Sequence, residues 1–159
     1  MQLRIPAHND YWNIRALWDE CFPEDSDAWR DWYFDHVYKP ENTFALFENS
    51  VPVSMAQINE YNMVLNHKPI KAYTLAGVST SKAFRRRGYA DQLVKESLKE
   101  MYRRNTAYSF LYPFNYNFYL PYGYRTAYSV TAVESEPGPS AGMHYQISDV
   151  RSMDDLAML

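Results

Sequence analysis

Apolar and polar positions change period several times along the chain, and each change marks an element. Leu3 and Ile5 alternate before Pro6, the pattern of a short first strand over Met1 to Ile5. After His8-Asn9-Asp10, which offers N-cap chemistry, apolar residues recur at Tyr11, Ile14, Leu17 and Trp18, a helix face that Pro23 ends. Asp25-Ser26-Asp27 caps a second helix, with Trp29, Trp32, Tyr33 and Val37 at helical spacing. The period then drops to two. Thr43 to Glu48, Val53 to Val64 and Ile70 to Ser81 read as three strands of a meander, with turns at Asn49-Ser50-Val51-Pro52 and Asn66-His67-Lys68-Pro69. Gly77 interrupts the third strand, where a glycine marks a bulge or a close backbone approach.

The clearest helix is Gly88 to Tyr102, with Ala90, Leu93, Val94, Ser97, Leu98 and Met101 in one stripe and Lys95, Glu96, Lys99 and Glu100 outside it. Tyr108 to Tyr112 follows as a short buried strand stopped by Pro113, then a short helix over Asn115 to Tyr122 and a last strand over Tyr124 to Glu134. Pro137-Gly138-Pro139-Ser140-Ala141-Gly142 has the composition of a linker. The pattern restarts after it. The expected organisation is therefore a domain over residues 1–135, a linker at 136–142 and a further segment at 143–159.

Composition narrows the class. A chain of 159 residues with 47% hydrophobic and 22% charged residues is sized and balanced for one globular domain. No apolar run approaches a membrane span, and no charged-then-apolar leader opens the chain, so a cytoplasmic protein without a membrane partner is expected. A single cysteine, Cys21, excludes an internal disulfide and a Cys-rich zinc site. His8, His36, His67 and His144 show no metal spacing, so no metal is expected. The four tryptophans all fall between positions 12 and 32, and are expected to anchor the first two helices to the core.

Charge is unevenly placed. The net charge is −3, yet Lys82 to Arg104 holds eight Lys or Arg against three acids, so the remainder is markedly acidic. A nucleic-acid binder needs a broad positive face. One basic segment in an acidic chain instead suggests one local anionic ligand and no nucleic acid. Val78-Ser79-Thr80 ends a strand, and Arg85-Arg86-Arg87-Gly88-Tyr89-Ala90 then opens the long helix. A helix N-terminus after a basic turn binds phosphate through its free amides and the positive end of its dipole. Neither common phosphate loop, G-x-x-x-x-G-K-[ST] nor G-x-G-x-x-G, is present in the chain.

The turn does fit R/Q-x-x-G-x-A/G, with Gly77-Val78-Ser79-Thr80 before it and an amphipathic helix after it. Tyr119-Leu120-Pro121-Tyr122-Gly123-Tyr124 adds Y-x-x-x-G-[FY]. Together these resemble the GNAT superfamily of N-acetyltransferases, and the tyrosine-rich run from Leu111 to Tyr119 resembles its Eis-like (enhanced intracellular survival) branch. The resemblance implies an α/β (α+β) GNAT fold: a mixed, mostly antiparallel sheet splayed in the middle, with helices on both faces. It implies acetyl-CoA as co-substrate, held by Val78, Ser79, Thr80, Arg85, Arg86, Arg87, Gly88, Tyr89 and Ala90. Tyr119 would be the acid that reprotonates the thiolate of CoA, its phenol pKa of ~10 lying not far above a thiol's ~8.5. The acceptor would be a small-molecule or peptide amine, with a possible homo-oligomer as the assembly. In the Eis-like branch a distant C-terminal carboxylate serves as base; residues 143–159 resemble only the entry to the branch's second domain. Glu60, late on a central strand, is the candidate base through a water. The competing expectation is a CoA-binding module of weak or no activity with an assembly or sensing role.

Overall fold

Alternation places the side chains of Thr43–Glu48 on two sides of a strand, and here both sides are covered. The computed structural model describes residues 1–127, in which this segment forms β2 beside β1 (Gln2–Arg4). With β3 (Val51–Leu65), β4 (Lys68–Thr80) and β5 (Tyr108–Phe110) they make one sheet in the order β1-β2-β3-β4-β5. The first four strands are antiparallel to their neighbours, whereas β5 lies parallel to β4. A parallel step needs a crossover, which α3 (Tyr89–Arg103) supplies. The chain divides into two compact units, Met1–Phe118 and Tyr119–Leu159.

Both hairpin turns are tighter than the sequence suggests. Asn49 and Ser50 have φ of 49° and 65°, and Asn66 and His67 of 49° and 61°. Positive φ at both central residues is the two-residue type I′ turn, whose twist matches that of the flanking strands. Val51, Pro52, Lys68 and Pro69 therefore belong to strands, not to turns.

α1 (Tyr11–Cys21) and α2 (Asp27–His36) cover one face of the sheet. Ile14, Leu17, Trp18, Tyr33, Phe34 and Tyr38 form a core there with Ala45, Phe47 and Met55 of the strands. α3 packs on β2, β3 and β4 from the other face, burying Leu93, Val94, Ser97 and Met101. Only one tryptophan behaves as the sequence suggests. Trp18 is buried, while Trp12 is 71%, Trp29 44% and Trp32 47% exposed. Trp29 and Trp32 stack on each other with centroids 5.2 Å apart, and His36 stacks on Trp32. Helical spacing fits two aromatic stripes on α2, and the buried one runs through Tyr33 and Phe34.

β5 also differs from expectation. It ends at Phe110, and Tyr108 is half exposed, so this is a short strand with an open side. Its pairing with β4 covers only Ala72–Thr74. From Leu75 to Thr80 β4 has no partner on that side among the described residues. The short helix forms as α4 (Tyr116–Tyr119), continued by a 3-10 turn at Leu120–Tyr122. Tyr124 to Ala127 carry no regular element, and the rest of the expected last strand, the linker and residues 143–159 lie outside the described residues. Among the described residues no helix is long and apolar enough to cross a membrane.

Candidate functional site

The site grows from a fault in β4. Met55 lies opposite Ser79 and Gln57 opposite Ala76, so Ala56 faces two residues, Gly77 and Val78. This is the bulge the glycine signalled. Gly77 has φ of 57°, a left-handed backbone. A Cβ there would stand 2.6 Å from Trp18 Cζ3, so the helix approaches as closely as a bare backbone allows. The bulge turns β4 just where β5 ceases to accompany it, and Val78 is left without a Cα partner on β3.

Beyond the bulge the strand end is pinned from β3. The Ser54 hydroxyl donates to the Ser79 carbonyl at 2.7 Å and shares a hydrogen bond with Thr80 Oγ1 at 2.8 Å. Ser79 itself is buried, so its side chain serves the interior. The Thr80 carbonyl accepts Arg85 Nε at 3.0 Å, which leaves Val78 the freer of the two backbones expected to meet a ligand. A 3-10 turn at Lys82–Phe84 then leads to the arginines.

The three arginines have different employments. Arg85 is tied to Thr80, and Arg87 lies over the Phe84 ring at 5.0 Å and donates to the Ala83 carbonyl. Arg86 is exposed, has φ of 63° and, among the described residues, makes no hydrogen bond, ion pair or ring contact. Gly88 follows at φ 79° as the N-cap of α3 and offers that helix no side-chain cap. Left-handed residues in such a turn bend successive amides toward one concavity, the arrangement that receives anions. A Cβ at Gly88 would meet nothing within 4 Å, so the space before the helix is open. Tyr89 and Ala90, half-buried, form the first turn of α3. An unengaged guanidinium, a helix that starts on glycine, open room at the cap and a strand edge unpaired among the described residues suit a ligand with a diphosphate and an extended amide-bearing arm.

Of the other two expected site residues, Glu60 stands apart from this turn. Glu60 lies opposite Tyr73 in the sheet, seven residues of β4 before Thr80 and so roughly 20 Å away along the strand. Its carboxylate accepts Lys71 Nζ at 2.9 Å and the Tyr73 hydroxyl at 2.9 Å. The hydrogen bond from Lys71, with that from Tyr73, holds it below the usual carboxylate range. Tyr119 opens the second unit, is 5% exposed and meets the Tyr124 ring edge-on. Burial, with the nearby Tyr124, pushes its phenol up to about 12. The 3-10 turn after it ends at Gly123, whose φ of 93° is left-handed.

Sequence reasoning missed α1 as part of the site. Glu20 Oε1 accepts the Lys82 amide at 2.7 Å, and the Cys21 thiol lies beside Arg85. Burial, with the charge of Glu20, pushes the Cys21 thiol up, as suits a packed thiol and not a nucleophile. Sixty-two residues separate Glu20 from Lys82, and no local pattern announces such a contact. Among the described residues no cluster of His, Cys, Asp and Glu could hold a metal.

Residues 2–127 match the family model of the acetyltransferase (GNAT) domain. The chain belongs to this family. The fold agrees. A GNAT fold is shared with a probable N-acyltransferase from Enterococcus faecalis (TM-score 0.68, 18% identity), over 77% of this chain and 31% of that one. It is shared also with a predicted acetyltransferase from Clostridium acetobutylicum holding acetyl-CoA (TM-score 0.68, 13% identity), over 84% and 95%. The aminoglycoside N-acetyltransferase AAC(6')-Iy with CoA matches at TM-score 0.65 and 15% identity, over 86% and 95%. The chain thus spans about a third of the Enterococcus protein and nearly all of the other two. No curated protein matches it. The mixed five-stranded sheet with helices is the GNAT fold that the motifs implied.

Proposed function

We propose that this GNAT domain is an acetyl-CoA-dependent N-acetyltransferase that acts on a primary amine. The observation that carries the reading is the turn: Arg86 unengaged and Gly88 open at the start of α3, directly after the end of β4, which has no partner on its β5 side among the described residues. Arg86 and the α3 amides would hold the diphosphate, with Arg85, Arg87, Tyr89 and Ala90 shaping the turn. The pantetheine arm would extend β4 along Val78 to Thr80. Two solved structures of the same fold hold CoA or acetyl-CoA, which supports this choice of co-substrate.

In the reaction the amine nitrogen forms a bond to the acetyl carbonyl carbon as the C–S bond breaks. The amine gives up a proton, and the departing thiolate takes one. Tyr119 is the donor in this reading. With its phenol at about 12 it stays protonated throughout the working range, and it parts with its proton reluctantly. Tyr119→Phe is expected to lower kcat roughly 10²-fold, the usual size of one proton-transfer contribution, and to leave acetyl-CoA affinity unchanged. For the native enzyme, kcat should show no fall from Tyr119 ionisation below about pH 10, because only deprotonation near its own pKa removes the donor. A pH–rate profile checks both points; a Phe variant of native kcat would remove Tyr119 from the mechanism.

Glu60 is the base, through a water. Its lowered pKa makes it a weak proton acceptor, and Lys71 and Tyr73 already claim both oxygens. Glu60→Gln should therefore cost less than about tenfold in kcat, with no change in the KM of acetyl-CoA. A larger loss would mean that Lys71 is displaced when the acceptor binds.

The acidic balance outside Lys82–Arg104 favours a cationic acceptor, such as a polyamine, an aminoglycoside or a lysine side chain. One neighbour of the same fold is an aminoglycoside acetyltransferase, which puts aminoglycosides early in the trial. The tyrosine-rich run from Leu111 to Tyr119 supports placement in the Eis-like branch. The test is calorimetric titration with acetyl-CoA, followed by thiol release with a panel of amines. Binding without release for any amine would favour the CoA-binding module instead.

A further inference from the structure

The basic turn is not held by its own strand and helix alone. The last two turns of α1 touch the segment 77–85 at successive points. Trp18 packs on Gly77 at the bulge, Cys21 lies beside Ser79 and Arg85, and Glu20 accepts the Lys82 amide at 2.7 Å. Lys82 opens the 3-10 turn, so its amide is one of the donors that such a turn leaves without an internal partner. Glu20 is exposed, and nothing in the core requires a carboxylate there. Its hydrogen bond spans 62 residues and fixes the point where β4 gives way to the arginines.

We infer that Glu20 is a positioning residue for the acetyl-CoA site: its carboxylate clamps the Lys82 amide, so the turn carrying Arg86 and Gly88 is already in its binding shape before acetyl-CoA arrives. This inference rests on the acetyl-CoA reading given above. The clamp acts through the backbone, so what matters is an acceptor oxygen at the right place. A negative charge as such adds nothing to that role and works against an anionic ligand. That opposition gives the test its discrimination.

Glu20→Gln keeps an acceptor oxygen and removes the charge, whereas Glu20→Ala removes both. Calorimetry with acetyl-CoA should show the dissociation constant of Glu20→Ala raised roughly five- to tenfold, the size of one ordinary hydrogen bond, and that of Glu20→Gln within about twofold of native. In steady-state kinetics the Ala variant should raise the KM of acetyl-CoA by a similar factor, with kcat and the acceptor KM unmoved. A merely structural role would instead lower the melting temperature and leave the KM alone. Native affinity in Glu20→Ala, equal losses in both variants, or tighter binding in both would each overturn the clamp; the last would make Glu20 a competitor of the phosphates. If the native protein itself binds no acetyl-CoA, the reading of the site falls and the clamp with it. If the native protein binds and Glu20→Ala binds equally well, only the clamp falls.

Discussion

Gly77→Ala is expected to destabilise the domain by roughly 2–5 kcal/mol, through two separable causes. An alanine held at positive φ costs ~1–2 kcal/mol, and Gly77 has φ of 57°. The new methyl would also stand 2.6 Å from Trp18, and forcing a packed ring aside costs about 1–3 kcal/mol. Trp18 has little room to yield. Its indole Nε1 donates to Asp25 at 2.8 Å, and its ring meets Phe22, Tyr33 and Phe34. At about 2–4 °C per kcal/mol for a chain of this size, the melting temperature should fall by roughly 5–20 °C. A double-mutant cycle with Trp18→Ala separates the causes, because that background relieves the contact and keeps the backbone strain. Gly77→Ala with a native melting temperature would mean that the bulge is not built as described. The same variant should weaken acetyl-CoA binding, since the bulge immediately precedes the Val78–Thr80 end of β4.

The second large effect belongs to the turn. Arg86→Ala should raise the dissociation constant of acetyl-CoA about 10- to 100-fold, the value of hydrogen bonds between a guanidinium and a phosphate. The control is its neighbour. Arg87 is already engaged with the Phe84 ring and the Ala83 carbonyl, so Arg87→Ala should change affinity less than about threefold, as expected of a charge near the ligand that does not grip it. Titration calorimetry at two salt concentrations reads both. The Arg86 contribution should shrink as salt rises, because part of it is charge attraction. Equal losses in the two variants would replace the specific contact with a general basic patch.

Much of this was legible from the chain because it is written in local pattern. The stripe from Leu93 to Met101 announced α3, and the alternation from Thr43 onward announced the meander. Glycine inside a strand announced the bulge at Gly77, and a glycine after three arginines announced the open start of α3. Turn boundaries were less legible. Asn-Ser and Asn-His hold two left-handed residues each without a glycine, so the sequence invited longer turns than the two-residue form. The tryptophans misled for a related reason: α2 carries aromatic residues on two stripes, and hydrophobicity alone does not say which stripe meets the sheet.

The sequence by itself determined the elements from β1 to α4, the bulge, the basic turn and the family, since each depends on residues within a few positions of one another. The tertiary structure decided which arginine is unengaged, that Glu60 is already bound by Lys71 and Tyr73, that Tyr119 is buried, and that α1 reaches the turn through Trp18, Glu20 and Cys21. These are contacts between residues far apart in the chain. Their strength depends on distance and on burial, and both exist only after the sheet and helices have packed.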